Sequence, residues 1–161
     1  MTLRFFGLFF IFVASLIWSK QKIEQELQRI YLQEGMLSLI DLIKRSVLCY
    51  RLPLKEIYRS FHHDTMCDEG FLRSLTNGSL LHAYMDHRES FGYDSFSDRM
   101  IIAFSEKLGR LPISEQVITC EELQRVLQQC LNEKKERYPK QKKIYMTLGI
   151  TVGMLTVILL I

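Results

Sequence analysis

The sequence contains few of the patterns that build sheets, phosphate-binding loops or nucleophile sites. Its eight glycines form neither GxxxxGK[ST] nor GxGxxG, and no GxSxG elbow presents a serine. No window alternates apolar and polar residues for long enough to predict a strand. These absences argue against an ATPase, a serine hydrolase and a sheet protein.

The residues that could ligate a metal or carry acid–base chemistry are also sparse. The four cysteines are Cys49, Cys67, Cys120 and Cys130. They form no CxxC pair, so we interpret them as reduced thiols that mostly fill a core. The segment HHDTMC offers His62, His63 and Cys67, but no second cluster completes a four-ligand zinc site. The acidic residues lack the paired spacing of a catalytic acid and base. The sequence therefore predicts no catalytic residue, no cofactor and no metal.

Two runs without charge lie at the ends of the chain, at residues 5–19 and 144–161. A membrane-spanning helix needs roughly 20 mostly apolar residues, which the second run provides. The first run is long enough when Arg4 extends to the membrane interface. A cleaved signal peptide is the alternative for the first run, but the bulky residues up to Trp18 do not suit a cleavage site. We predict transmembrane helices over residues 1–19 and 144–161.

Basic residues mark the inner ends of both runs. They are Lys20, Lys22, Lys134, Lys135, Arg137, Lys140, Lys142 and Lys143. The excess of Lys and Arg beside membrane helices indicates that residues 20–143 are cytoplasmic and that the protein is a multi-pass protein of the cell membrane. Contact with the lipid bilayer is the simplest role for this cluster. Because residues 20–133 carry 14 basic and 17 acidic residues, we predict no nucleic-acid partner, and the sequence shows no site for a small-molecule substrate.

The central region has the apolar period of three and four that is typical of amphipathic helices. Breakers at Pro53, Asn77–Gly78 and Gly109 divide it, and we expect a loop at Ser90–Ser97. The expected N-caps are Asp68, Ser79 and Ser114. The residues of the last long helix expected to face inward are Val117, Ile118, Leu123, Val126, Leu127 and Leu131. We therefore predict an all-α fold, with a cytoplasmic bundle of about six helices over residues 20–143 between the two transmembrane helices.

The second apolar run contains the segment GITVG. Gly149 and Gly153 form a GxxxG pair, and Thr147 with Thr151 forms a second small pair on a neighbouring face. Small residues at this spacing allow another helix to approach closely in lipid. The approaching helix is either the N-terminal helix of the same chain or a helix of another protein.

Several segments resemble the stage III sporulation protein AB family of endospore-forming bacteria, over essentially the full length. They are the corner Tyr50, Pro53, Leu54; the run His82-Ala83-Tyr84; the block FSEKLG at 104–109; and the Lys-rich approach to GITVG. The block FSEKLG is similar to the GExLG turn that this family shares with the F-type platform protein of type II secretion and type IV pilus systems. Ser105 stands where the family usually has Gly, and Tyr84 stands where Trp is common.

The resemblance implies a noncatalytic structural subunit of a mother-cell membrane channel complex, with its cytoplasmic bundle beside the ATPase of that complex. The exposed corner after FSEKL predicts a partner-binding surface, and its residues are Glu106, Lys107, Gly109, Arg110 and Glu115. An ordinary capped helix corner is the simpler interpretation of these residues. A small membrane-anchored enzyme, and a membrane-anchored interaction module without a role in sporulation, are the alternative functions.

Overall fold

The computed structural model describes residues 2–49 and 53–160, and it describes side-chain environments for residues 13–48, 53–155 and 158. Within these ranges the chain forms helices and no strand. The helices are α1 (Thr2–Cys49), α2 (Leu54–Ser60), α3 (Asp64–Asp68), α4 (Phe71–Asn77), α5 (Leu80–Phe91), α6 (Ser95–Lys107) and α7 (Ile113–Leu160). The predicted all-α class is confirmed.

The chain divides into two compact units. The first, the helix pair, consists of Met1–Gln28 with Lys134–Ile161, and the second, the bundle, consists of Arg29–Glu133. Helices α1 and α7 contribute residues to both units, and the five shorter helices belong to the bundle.

The two predicted transmembrane segments lie in the helix pair. Among the described residues, no helix combines the length and the apolar character that crossing a bilayer requires. The predicted segments 1–19 and 144–161 also include residues 1–12, 156, 157 and 159–161, which lie outside the described side chains.

An aromatic cluster forms the centre of the bundle. Phe71, Tyr84 and Phe91 are fully buried, and the rings of Phe71 and Phe91 meet edge to face with centroids 5.3 Å apart. The amide of Gln33 on α1 donates a hydrogen bond of 2.8 Å to the carbonyl of Phe91, the last residue of α5. Burial of the large rings supplies most of the apolar contact here, and the hydrogen bond fixes α1 against the end of α5.

Gly35 allows a close approach between α1 and α3. A Cβ at this position would lie 2.8 Å from Sδ of Met66 and 3.0 Å from Nδ1 of His63. Glycine inside a helix costs about 1 kcal/mol relative to alanine. The tight contact with Met66, a fully buried residue, accounts for a glycine here.

The helix ends confirm one of the three predicted N-caps. Ser79 caps α5, and its side chain accepts a hydrogen bond of 3.2 Å from the backbone N–H of His82. The prediction for Asp68 is wrong, because Asp68 ends the short helix α3 and Gly70, with φ +78°, precedes α4. The left-handed backbone at Gly70 creates a break that the sequence pattern does not reveal.

The last long helix begins two residues earlier than predicted. Helix α7 starts at Ile113, which places Ser114 inside its first turn rather than at the cap. The backbone N–H of Gln116 donates to the carbonyl of Pro112 at 3.0 Å. The turn that starts at Pro112 therefore opens the helix.

The predicted loop at Ser90–Ser97 is shorter than expected. Helix α5 runs to Phe91 and α6 begins at Ser95. Gly92, with φ +56°, ends α5, and the side chain of Asp94 accepts from the backbone N–H of Phe96 at 3.1 Å. The polar residues of this segment thus include a helix stop and a helix cap.

Candidate functional site

The corner between α6 and α7 depends on a glycine. Helix α6 ends at Lys107, and the N–H of Leu108 donates to the carbonyl of Phe104 at 2.9 Å. Gly109 has φ +79°, and a Cβ there would lie 3.1 Å from Cδ1 of Leu54. The predicted role of Gly109 in ending α6 is confirmed, because both its backbone conformation and its contact with α2 favour glycine.

The five residues of the predicted partner-binding surface lie around this corner and are exposed. They are Glu106, Lys107, Gly109, Arg110 and Glu115. The first two lie in the last turn of α6, and Glu115 lies in the first turn of α7. The corner therefore presents charges of both signs on the exterior of the bundle, an arrangement that can select a complementary protein surface.

A groove of about 280 Å³ lies beside the corner. Its walls come from α2, α6 and the turn between α4 and α5, and its lining residues are Leu54, Lys55, Tyr58, Thr76, Asn77, Gly78, Ser79, Leu80, Ser105 and Leu108. Two of these, Ser105 and Leu108, belong to the FSEKLG block. Sequence reasoning missed the groove, because its walls lie up to about fifty residues apart in the chain.

Ser105 fits a regular helix at the position where the resembled family usually has glycine. Its hydroxyl donates to the carbonyl of Ile101 one turn earlier, at 2.7 Å. Helix α6 continues without interruption to Lys107. The serine therefore adds a groove-lining hydroxyl whose hydrogen is already engaged by the helix.

A polar network joins the buried Tyr84 and Asp98 to Arg88, whose side chain is half exposed, next to the aromatic cluster. The hydroxyl of Tyr84 donates to Oδ1 of Asp98 at 2.7 Å, and Nε of Arg88 donates to the same oxygen at 2.8 Å. A second guanidinium nitrogen of Arg88 donates to Oδ2 of Asp98. Tyrosine at position 84 therefore supplies a hydroxyl that serves a buried carboxylate. The sequence analysis did not predict this network. The 14 residues that separate Tyr84 from Asp98 span a helix, a turn and a second helix, so the two side chains meet only when these helices pack together.

The network holds Asp98 in its charged form. Burial raises the pKa of the Asp98 carboxyl, but the hydrogen bonds from Arg88 and Tyr84 outweigh it and leave the pKa below its ordinary value of 3.8. Burial, together with the hydrogen bond to Asp98, raises the pKa of Tyr84. At neutral pH the network is thus a carboxylate that accepts from a guanidinium and a neutral phenol, which is a satisfied structural arrangement.

The Asp98→Asn variant should be less stable than the wild type in a pH-dependent manner. A carboxyl whose pKa is lowered by folding stabilises the protein above its ordinary pKa, and this contribution disappears as the pH falls through the lowered value. We expect a loss of about 1–3 kcal/mol at pH 7, and a smaller difference between the two proteins below about pH 3.5. Urea unfolding at pH 7, 5 and 3 measures it. A difference that stays constant across this range would contradict the assignment.

In the helix pair, α1 and α7 run antiparallel and meet at Gly149. The hydroxyl of Ser15 donates to the carbonyl of Gly149 at 3.0 Å, and that of Ser19 donates to the carbonyl of Tyr145 at 2.6 Å. A Cβ on Gly149 would lie 3.0 Å from Cβ of Ser19. Of the two alternatives left open by the sequence, the helix that approaches Gly149 in this structure is the N-terminal helix of the same chain.

The other small residues of this segment divide between two environments. Gly153 is buried, whereas Thr147 and Thr151 are exposed. The threonine hydroxyls donate to carbonyls of their own helix, at Lys143 and Thr147 respectively. The glycine pair and the threonine pair therefore lie on different faces of α7.

The segment HHDTMC does not assemble a metal centre. His62 lies 3.2 Å from the carboxylate of Asp64, and the ring of His63 stacks on Phe61. Cys67 is exposed. Across the residues that the structure describes, no group of three His, Cys, Asp or Glu side chains is placed to hold a metal ion.

Comparison with known proteins gives a match to one protein family. The family model described as Stage III sporulation protein AB (spore_III_AB) matches residues 79–161. No curated protein and no solved structure matches the chain. The matched region begins at the N-cap of α5 and includes the polar network, the α6–α7 corner and all of α7.

Proposed function

The chain belongs to the stage III sporulation protein AB family and has a role in sporulation, and from this premise we propose that it is a noncatalytic structural subunit of a membrane complex required for endospore formation. The observation that carries the proposal is the family match, which spans the exposed corner and the whole of α7. The partners are the other subunits of the complex, including its ATPase. The bundle faces the cytoplasm of the mother cell.

Attachment to the membrane through the helix pair is supported by the apolar character of its outer surface. The exposed apolar residues of its second helix are Ile144, Met146, Leu148, Ile150, Val152, Met154, Leu155 and Ile158. On α1, Leu16, Ile17 and Trp18 are also exposed. A contiguous apolar surface of this kind is typical of contact with lipid or with another apolar surface. We propose that residues 1–19 and 144–161 anchor the protein in the cell membrane.

The corner between α6 and α7 is the proposed contact with the ATPase. Its charged residues are exposed, and the groove beside it offers Leu54 and Leu108 next to the hydroxyl and amide groups of the α4–α5 turn. A partial apolar lining with a charged rim is the usual composition of a protein–protein contact. A noncatalytic role is supported because the carboxylate of Asp98 is engaged by Tyr84 and Arg88, and the core of the bundle is apolar.

Charge reversal at the corner, Glu106→Lys, is expected to reduce heat-resistant spore formation by about tenfold or more. Like charges brought together at an interface cost several kcal/mol, and each 1.4 kcal/mol corresponds to a tenfold change in binding. The measurement is the count of heat-resistant spores, with affinity capture of the tagged full-length protein from sporulating cells. Loss of the ATPase from the captured complex should accompany loss of spores.

The matched control is Glu89→Lys, which reverses another exposed negative charge, on α5. It should leave both spore formation and complex assembly unchanged. If Glu106→Lys leaves both intact, the corner is not the contact surface. If the wild-type protein captures only housekeeping proteins, the proposed complex itself is wrong.

A further inference from the structure

The helix pair carries several lysines at one level. The contacts of Ser15 with Gly149 and of Ser19 with Tyr145 show that one turn forward along α1 corresponds to one turn back along α7. The same register places Lys22 level with Lys142. Residues 20–24 and 140–144 therefore occupy the same slice of the pair, about 6 Å along the helix axis.

This slice is strongly positive. It contains five lysines, Lys20, Lys22, Lys140, Lys142 and Lys143, which we call the lysine collar, and one carboxylate, Glu24. Glu24 lies 4.0 Å from Lys20, and both side chains are largely exposed, so this ion pair neutralises little of the collar. Bringing the remaining ammonium groups together on two helices is unfavourable unless anions bind beside them.

The collar also lies at a sharp boundary in polarity. No charged residue occurs in 5–19 or 144–161, so the segments next to the collar on one side are uncharged. Trp18, which is 54% exposed, and Tyr145 lie at this boundary next to the contact of Ser19 with the Tyr145 carbonyl. Along the pair, the uncharged segments are followed by aromatic residues and then by lysines. This order matches the acyl chains, the interface and the lipid phosphates at a membrane surface.

We propose that the lysine collar binds the phosphate groups of anionic phospholipids and so sets the depth of the helix pair in the membrane. This inference rests on the membrane attachment proposed above and adds the class of lipid and the residues that select it. The ammonium groups provide the charge, and the adjacent apolar surface provides contact for the acyl chains of the same lipid molecules.

Trp18 provides the test, because it is the only tryptophan of the chain and it lies beside the collar. The full-length protein is reconstituted into mixed vesicles of phosphatidylglycerol and phosphatidylcholine, with bromine on the acyl chains of one lipid or the other. Brominated chains quench tryptophan fluorescence on contact. We expect phosphatidylglycerol to be favoured over phosphatidylcholine at Trp18 by about fivefold or more, and this preference to disappear in high salt.

The variant Lys140→Gln, Lys142→Gln, Lys143→Gln should lose this preference while its total quenching in vesicles remains. A control that removes three exposed charges from the bundle, Lys55→Gln, Arg59→Gln, Arg73→Gln, should retain it. Equal quenching by the two lipids in the wild type, or equal loss in both variants, would overturn the proposal. Displacement of the preference by soluble glycerol phosphate would also overturn it, by showing a site for a free phosphate.

The quenching results separate a failure of this inference from a failure of the proposed membrane attachment. If neither brominated lipid quenches Trp18, the membrane attachment itself fails together with the collar. If both quench it equally, attachment stands and only the selection of anionic lipid fails. Spore formation and affinity capture test the proposed complex independently of both quenching results.

Discussion

Replacing Phe91 with alanine is expected to lower the free energy of unfolding of the bundle by about 3–5 kcal/mol. Phe91 is fully buried, and its ring contacts those of Phe71, Tyr84 and Tyr93, with centroid separations of 5.3, 5.7 and 5.9 Å. Truncation removes all three aromatic contacts and leaves a cavity among side chains that cannot close it. The loss is comparable to a large fraction of the stability of a small domain.

The measurement is urea unfolding of the full-length protein in detergent, followed by far-ultraviolet circular dichroism. The matched control is Phe96→Ala, because Phe96 lies in the first turn of α6 and is 55% exposed. The control should change the free energy of unfolding by no more than about 0.5 kcal/mol. Equal losses in the two variants would mean that Phe91 is not the centre of the core.

Local signals in the sequence predicted those helix ends that depend on one residue. The cap at Ser79 and the stop at Gly109 were predicted correctly, because a serine oxygen or a left-handed glycine acts within three or four residues of itself. The break at Gly70 was missed because the sequence predicted a cap at Asp68 instead; Gly70 precedes α4 with φ +78° and no capping side chain. Aspartate is a favoured residue type at an N-cap, but Asp68 is the last residue of α3.

The inward face of α7 shows the limit of reading a helix from periodicity. Ile118 was predicted to face inward and is 55% exposed, whereas Cys120 is buried. The buried positions of this part of α7 are Gln116, Cys120, Leu123, Leu127 and Leu131. This face follows a helical repeat of three and four, but it passes through a cysteine and a glutamine, so a search for the most apolar residues selects the neighbouring face.

The candidate site was predicted in part, because only some of its features depend on residues that are close in the chain. The exposed corner could be predicted because its residues lie close together in the chain, on either side of Gly109. The groove beside it and the pairing of Asp98 with Arg88 and Tyr84 could not, because they form only when separate helices pack together. Tyr50 of the predicted Tyr50–Leu54 corner lies outside the described residues.

Replacing Gly149 with leucine is expected to separate the two helices of the helix pair. Even a methyl group at this position would lie 3.0 Å from Cβ and 3.2 Å from Oγ of Ser19. Overpacking of this kind costs about 1–3 kcal/mol. The hydrogen bonds from Ser15 and Ser19 to α7 contribute about 0.5–1.5 kcal/mol each, and both are lost if the helices move apart.

The distance between two spin labels measures this separation. Leu16 and Leu148 are partly exposed and lie at the same level of the pair, so labels on cysteines at these two positions, in a chain without its native cysteines, should give one narrow distance distribution in detergent. Gly149→Leu should broaden this distribution and shift it to longer distances. Thr151→Leu adds the same side chain at an exposed position of α7 and should leave the distribution unchanged. If both leucine variants keep the narrow distribution, the contact at Gly149 does not hold the pair together. If Thr151→Leu alone broadens it, the threonine face is the one that packs, and the small residues of GITVG then serve a contact other than the one between α1 and α7.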